Sequence, residues 1–385
     1  MKIKTIARKE GLEEINSIFL RKINILENNT KSNQYTSLPK GEIEGEITWK
    51  SPSNIAFIKY WGKYGVQLPK NASLSMSLEQ AFSTTSIRYA KAKSKAKREF
   101  LFEGKQKPSF AKRIWKHIDS LNHLYPYLKE MDLSIESSNS FPHSTGIASS
   151  ASAMSALALC LADMERIIFG SLEQEKDFFQ KASYLARLGS GSASRSVYGG
   201  FSIWGETKDD KIASDNDFAI PYNKHIHTSF RQLKDAILIV DQAEKKVSSS
   251  LGHSLMDNHP YAESRLIQAN KNINKLIKAL AIGDKENFIQ VLESEAMSLH
   301  ALMMTSEPWF ILMKAQTMKM IEKIRAYREE TRKFITFTMD AGPNVHLIYE
   351  ADKDITTFIE KELKALCANG YIIFDKMGSG PQKIN

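Results

Sequence analysis

The sequence predicts a two-domain α+β protein, on three observations. The chain has 385 residues, more than most single cores organise. Strand signals cluster early and give way to helices, and the order then repeats with a different mixture. Between the two mixtures, around "YNKHIHTSFRQ" (222–232), the texture resets. The expected division is an extension and linker over 1–45, a first domain over 46–230 and a second over 231–385.

Residues 11–27 place Leu12, Ile15, Phe19, Ile23 and Leu26 at helical spacing, and a polar linker follows. "GEITWKSPSNIAFIKYW" and "NASLSMSLEQAFSTTSIRYA" read as strands. "KAKSKAKREFLFEG" reads as a hairpin with a solvated basic tip. Residues 109–130 read as a helix, "MDLSIESSN" as a strand, and "SSASAMSALALCLADMERIIFG" as a long helix of small residues. "EQEKDFFQKASYLARLG" is a second helix and "YGGFSIWG" a strand. After the reset, "DAILIVD" is a strand and helices are expected at 257–282, 284–303 and 307–330. "FITFTMDAG", "NVHLIYE" and "GYIIFDKMG" are strands, with a helix at 353–368 before the last.

The formal charge of +9 favours an anionic partner without choosing its kind. The basic run Lys91–Arg98 reads as a solvated tip, so no nucleic-acid partner is expected. Cys160 and Cys367 are too few for a disulfide framework. The longest apolar stretch, around "SALALCLA", is too short to span a bilayer. A cytoplasmic protein without a membrane partner is expected. His225 and His227 have strand spacing but no partner pair, so a role other than metal binding is expected. The Met-rich run "AMSLHALMM" reads as helix core.

Four segments carry chemistry. In "FPHSTGIASSASA", Pro142 breaks a strand, Gly146 permits an unusual turn, and Ser149 and Ser150 open a helix. Such a start binds phosphate or packs two elements closely. In "GSGSASRS", small residues leave backbone N–H groups bare, Ser190 and Ser192 add hydroxyls, and Arg195 adds a two-point fork. A serine-glycine loop with one solvated arginine is the plainer reading. In "FTMDAGPNVHL", Asp340 ends a strand, as a general base or as a turn cap. In "NIAFIKYWGKYG", Lys59 and Lys63 flank Tyr60 and Trp61, which fits one anion or a strand with core aromatics.

Together these segments resemble the diphosphomevalonate decarboxylases of the GHMP kinase superfamily. Asn54–Lys63, "NASLSMSL" (Asn71–Leu78), "FPHSTGIASSASA", "GSGSASRS", "KKVSSS" (Lys245–Ser250), "MDAGPNV" and the late "GSGP" occur in the family's order. His143, Ser144, Thr145 and Ser194 depart from its pattern, and the first 45 residues have no counterpart.

The resemblance implies a ribosomal-protein-like N-terminal domain and a ferredoxin-like C-terminal domain. It implies ATP-dependent phosphorylation of the 3-hydroxyl of mevalonate 5-diphosphate, then loss of phosphate and carbon dioxide to give isopentenyl diphosphate. Asp340, Lys59 and Arg195 would be catalytic. Tyr60, Trp61, Lys63, Ser190, Gly191 and Ser192 would hold the substrate. Pro142, Gly146, Ala148, Ser149, Ser150 and Ser249 would hold ATP, with Ser149 also aiding Mg²⁺. A homodimer is carried over with them. A decarboxylase of mevalonate 5-phosphate and a mevalonate 3-kinase-like enzyme are the rival readings.

Overall fold

The computed structural model of the chain describes residues 35, 37–142, 147–207, 212–243 and 249–385. Contacts divide them into two units. The smaller joins Arg88–Ile135 to the described residues up to Glu46; the larger joins Ile47–Ile87 to Glu136–Asn385. The larger unit thus draws on both sides of residue 230. The amphipathic pattern over 11–27 lies outside the described residues.

The first strands are β1 (Glu44–Ala56), β2 (Lys63–Tyr64), β3 (Leu68–Pro69), β4 (Ser73–Lys91), β5 (Arg98–Phe102), β6 (Lys105–Gln106) and β7 (Met131–Asn139). β4 changes character along its length. Ser73–Leu78 is buried on both faces, and from Ala81 burial alternates with the pleat.

In the smaller unit β7 lies between β4 and β5. The expected hairpin over Lys91–Arg98 is therefore absent. The alternating Met131, Leu133 and Ile135 take the central position that a hairpin would have closed. The tight hairpin is instead β5–β6, turning through Glu103 and Gly104, both at positive φ. Helix α1 (Pro108–Ser120) is shorter than the expected 109–130. Pro126 biases Tyr125 away from helix and opens a separate 3₁₀ turn, Pro126–Glu130.

In the larger unit the strand order is β14-β1-β4-β7, with β8 (Phe201–Trp204) on β4 and β9 (Ala219–Pro221) on β8. The final strand, β14 (Gln382–Lys383), pairs with Trp49 and Lys50 of β1. Helix α2 (Ser149–Phe169) is buried along most of its length, and its small residues explain how. Hydroxyls meet hydroxyls at Ser83–Ser152 (2.7 Å) and Ser51–Ser155, and Cys160 Sγ donates to Thr85 O at 3.2 Å. Helix α3 (Glu175–Gly189) follows.

The carboxyl-terminal half forms a four-stranded antiparallel sheet in the order β11-β12-β10-β13, from β10 (Lys234–Leu238), β11 (Ile335–Thr338), β12 (Val345–Tyr349) and β13 (Ile372–Lys376). Its helices are α4 (Ser249–Ser254), α5 (Ala262–Ile282), α6 (Lys285–Met304), α7 (Ala315–Thr331) and α8 (Lys353–Phe358). Ile237 and Ile348 pack with Ile273, Leu276 and Phe288 of α5 and α6. Ala236 and Leu238, on the opposite face of β10, pack with Ile321 and Ile324 of α7. Gly283 closes α5 in the left-handed region, and Asp284 opens α6 by accepting the Asn287 N–H at 2.9 Å. The helix expected from 307 begins only at Ala315, where Thr317 Oγ1 accepts the Lys314 N–H.

Candidate active site

β1 ends its ladder at Ala56, and the Phe57 and Ile58 N–H groups share one acceptor, Leu74 O (2.8 and 3.1 Å). The next side chain, Lys59, is only 2% exposed. Its ammonium donates to Ala56 O at 2.6 Å and to Asp340 Oδ1 at 2.9 Å. Burial pushes the Lys59 amine down in pKa, and the Asp340 carboxylate opposes that most strongly.

Asp340 lies two residues past β11 in a tight turn, where its carbonyl accepts the Gly342 N–H at 2.7 Å. Thr317 Oγ1 ties the turn to α7 through Pro343 O (2.7 Å). Asn344 Oδ1 ties it to the end of β10, accepting from the Val240 and Asp241 N–H groups. The carboxylate is 30% exposed, so it faces both Lys59 and the space in front of it.

The segment expected to be a loop between a helix and a strand at "GSGSASRS" is a 3₁₀ helix, Gly191–Val197, following α3 after Ser190. That places Arg195 inside the fold at 2% exposure. Its Nε donates to Ser75 Oγ at 3.0 Å, and its Nη2 to Asn54 Oδ1 at 3.3 Å. Asn54 is itself fixed, donating to Ser192 O (3.2 Å) and Ser196 Oγ (2.7 Å). Nη1 of Arg195 is buried with no partner among the described residues. Burial lowers the Arg195 pKa to about 10, against the pull of Asp340 and Tyr60. Asn54 and Ser75 were not singled out as site residues from the sequence, because neither bears a charge or a distinctive spacing.

The turn after Lys59 is built from rings. Tyr60 lies against Trp204 (4.7 Å between centroids) and His253 (4.3 Å), and its buried hydroxyl has no partner among the described residues. Burial raises the Tyr60 pKa, so the phenol keeps its proton. Gly191 permits this packing: a Cβ there would sit 2.8 Å from the Tyr60 hydroxyl and 2.7 Å from the Trp204 ring. Trp61 turns into an apolar cluster with Met256, Leu299, Leu302 and Met303. Gly62, at φ +89°, donates its N–H to His253 Nδ1 at 3.1 Å. Lys63 donates to Gln67 Oε1 at 3.1 Å on the β2–β3 hairpin.

Sequence reading missed His253, which sits in a polar stretch without periodicity. Burial, aided by the Lys63 charge, lowers its pKa to about 3. The ring is neutral and free to accept from Gly62.

Helix α2 begins at Ser149 as expected, after Ala148 in the left-handed region at φ +44°. Ser53 Oγ anchors that start by donating to Ile147 O at 2.6 Å. Ser149 and Ser150 are half-buried and Pro142 is exposed. Gly146, with His143–Thr145, lies outside the described residues, as do 244–248. Ser249 opens α4, but its side chain is likewise outside the described residues. Ser190 ends α3, its N–H donating to Ala186 O, and Ser192 is half-buried beside it. Among the described residues no three His, Cys, Asp or Glu side chains gather as a metal site. His227 caps a short 3₁₀ turn by accepting the Ser229 N–H. No helix of the described residues is long and apolar enough to cross a membrane.

Residues 51–219 match the family model of the diphosphomevalonate decarboxylase-like N-terminal domain. Residues 236–372 match that of the mevalonate 5-diphosphate decarboxylase C-terminal domain. The diphosphomevalonate decarboxylase of Danio rerio is 30% identical over 82% of this chain and 78% of its own length. The crystal structure of mevalonate diphosphate decarboxylase from Staphylococcus aureus superposes with a TM-score of 0.76 at 29% identity, covering 89% of this chain and 99% of that one. The Enterococcus faecalis mevalonate diphosphate decarboxylase, described for a mevalonate diphosphate-mediated ATP binding mechanism, shares the fold at 23% identity. Its TM-score is 0.74, over 89% of this chain and all of its own.

Proposed function

The chain belongs to the diphosphomevalonate decarboxylase family, and from that premise we propose how its residues convert mevalonate 5-diphosphate into isopentenyl diphosphate. The observation that carries the assignment is the ion pair of buried Lys59 with partly exposed Asp340, near Arg195, whose Nη1 has no partner among the described residues.

A tertiary alcohol is a poor nucleophile and a poor leaving group. Asp340, half open and fixed on its turn, orients the 3-hydroxyl and accepts its proton as the γ-phosphoryl of ATP arrives. Lys59 bridges Asp340 and the incoming phosphoryl oxygens. Departure of the 3-phosphate builds positive charge at carbon 3, which the Asp340 carboxylate stabilises. Arg195 clamps the substrate carboxylate through Nη1 until carbon dioxide leaves. Tyr60, through its unpartnered hydroxyl, Lys63 and the Ser190–Ser192 segment hold the 5-diphosphate. Trp61 supports that turn from its apolar side.

ATP lies along the start of α2, over Gly146–Ser150, with Pro142, Ala148 and Ser249 around it. Mg²⁺ would neutralise the β- and γ-phosphate oxygens. An ion carried mostly on phosphates needs few protein ligands, and Ser149, half-buried at the start of α2, would be its protein contact. The same reading makes the protein a cytoplasmic homodimer.

Purified protein given ATP, Mg²⁺ and, in separate arms, mevalonate, its 5-phosphate and its 5-diphosphate tests the assignment. Carbon dioxide and ADP are followed together. The donors around Tyr60 and Lys63 exceed what one phosphate needs. Two lost charge-assisted bonds amount to about two decades in kcat/KM, so the 5-diphosphate is expected to lead by that margin. A faster 5-phosphate reaction, or ADP without carbon dioxide, would move the chain to one of the rival reactions.

A further inference from the structure

We propose that Glu295, clamped by Arg265, is a positioning residue that fixes the Lys59 peptide and supplies a second counter-charge to its ammonium. This rests on the reading that Lys59 acts at the reacting centre.

Lys59 sits where the β1 ladder has run out, so strand pairing cannot set its backbone. Side chains replace the ladder. Glu295 Oε2 accepts the Lys59 N–H at 2.9 Å. Arg265 Nη2 and Asn71 Nδ2 donate to the Lys59 carbonyl at 3.2 and 3.1 Å. Both polar groups of one residue are gripped, and its side chain is aimed at Asp340 from a fixed base.

Glu295 is held with equal care. Arg265 binds it with both guanidinium branches (2.7 and 2.6 Å), and Asn272 Nδ2 donates to Oε1 at 2.7 Å. Glu295 and Arg265 are 0% and 1% exposed at their side chains. A buried Arg–Glu pair is a poor way to gain stability, because an apolar replacement of similar volume is often neutral or better. Its presence here is accounted for by what it touches, the lysine that faces Asp340.

The Lys59 ammonium is faced by Asp340 from the turn after β11, Glu295 from α6 and Arg195 from the 3₁₀ helix. Asp235 on β10 acts on it from the sheet, and Arg265 on α5 lies behind Glu295. Asp340 and Glu295 favour the charged amine, while burial and Arg195 oppose it. Removing Glu295's charge leaves Asp340 to hold the proton against both.

Glu295→Gln alone strands a buried guanidinium, so Glu295→Gln/Arg265→Met is made beside it. The pair is then removed without an orphan charge, while the introduced amide oxygen and Asn71 still meet the Lys59 peptide. The double variant is expected to fold with a melting temperature near that of the parent. Its kcat should fall about tenfold or more, with the KM for ATP unchanged. The alkaline limb of its kcat–pH profile should move down by about one pH unit, the lower end of what an opposite charge at close range supplies. Arg265→Lys, which keeps a cation against Glu295, should retain the parental limb.

A folded double variant with parental kcat and an unmoved limb overturns the proposal. Lys59→Met separates this from the reading beneath it. If Lys59→Met is inactive and the double variant is parental, only the role of Glu295 falls. If Lys59→Met itself turns over normally, the role of Lys59 falls and takes this proposal with it.

Discussion

Replacing Arg195 by lysine keeps a positive charge in place and removes the fork. The wild-type guanidinium spends Nε on Ser75 and Nη2 on Asn54, and retains Nη1 as a buried donor with no partner among the described residues. A lysine brings one nitrogen to these jobs. If it reaches the ligand, Asn54 Oδ1 loses its partner; if it stays with Asn54, the ligand carboxylate loses the donor. One charge-assisted hydrogen bond is worth roughly 1.5–3 kcal/mol, and each ~1.4 kcal/mol is tenfold in rate. The expected loss in kcat is therefore about ten- to a hundredfold, with KM for ATP little changed. Carbon dioxide release should suffer more than ADP release, because the clamp acts on the group that leaves last. Stopped-time assays of both products on the same samples measure this directly. A folded Arg195→Lys enzyme within twofold of wild type for both products would refute the clamp and leave Arg195 as a structural member of the Asn54–Ser75–Ser196 cluster.

Gly191→Ala should act through rings: its Cβ would press on Trp204 and the Tyr60 hydroxyl at under 3 Å. Overpacking of about 1–3 kcal/mol should lower the melting temperature, and displacement of Tyr60 should raise KM for the 5-diphosphate substrate; an unchanged KM would detach Tyr60 from that phosphate site. A pH effect is expected from His117, which is buried with both ring nitrogens lacking a partner among the described residues and its pKa lowered to about 4, first by burial and then by Arg113. A histidine depressed in the folded state gives its full stability above the unfolded value near 6.5 and loses it as pH falls toward 4. About 2 kcal/mol should be gone by pH 5, and His117→Leu should remove that part of the slope in denaturant titrations at pH 7 and 5. His253 titrates in the same direction and will leave a residual slope; an unaltered slope in His117→Leu would refute the assignment.

The sequence was most legible where local pattern and tertiary need agree. "MDLSIESSN" is β7 to the residue, and α2 starts at the expected serines. Lys59, Arg195 and Asp340 each stand out in the sequence by residue type; the fold brings Lys59 within 2.9 Å of Asp340 and Arg195 close enough for Asp340 to act on it, across separations that no spacing rule covers. Pairing partners were not legible. The basic stretch 91–98 reads as a hairpin tip, yet β5 pairs with β7, because partner choice is settled by which strand alternates best. The "GSGSASRS" segment reads as an anion-binding loop between a helix and a strand; its 3₁₀ form and the buried neutral partners of Arg195, Asn54 and Ser75, carry no local signature. His253 was missed for a related reason. Its role depends on a backbone N–H nearly two hundred positions earlier in the chain.

These buried charges also bear on how the site meets its ligands. Lys59, Arg195, Arg265 and Glu295 are almost wholly removed from water, which is costly for each alone. Lys59 is balanced by Asp340 and Glu295, and Arg265 by Glu295, so most of that cost is met within the fold. Arg195 is the exception, since its closest partners, Asn54 and Ser75, are neutral. Like Arg265, whose Nε is also buried without a partner among the described residues, it keeps an unused donor, and Tyr60, whose buried hydroxyl is likewise without a partner among those residues, lies close enough to influence it. Part of the unmet cost thus falls on the two groups proposed to meet the anionic ends of the substrate. A ligand that meets both recovers free energy that the fold alone forgoes. Anion binding is then a relief of unsatisfied polar groups, and fits the excess of positive charge that the sequence shows from the outset.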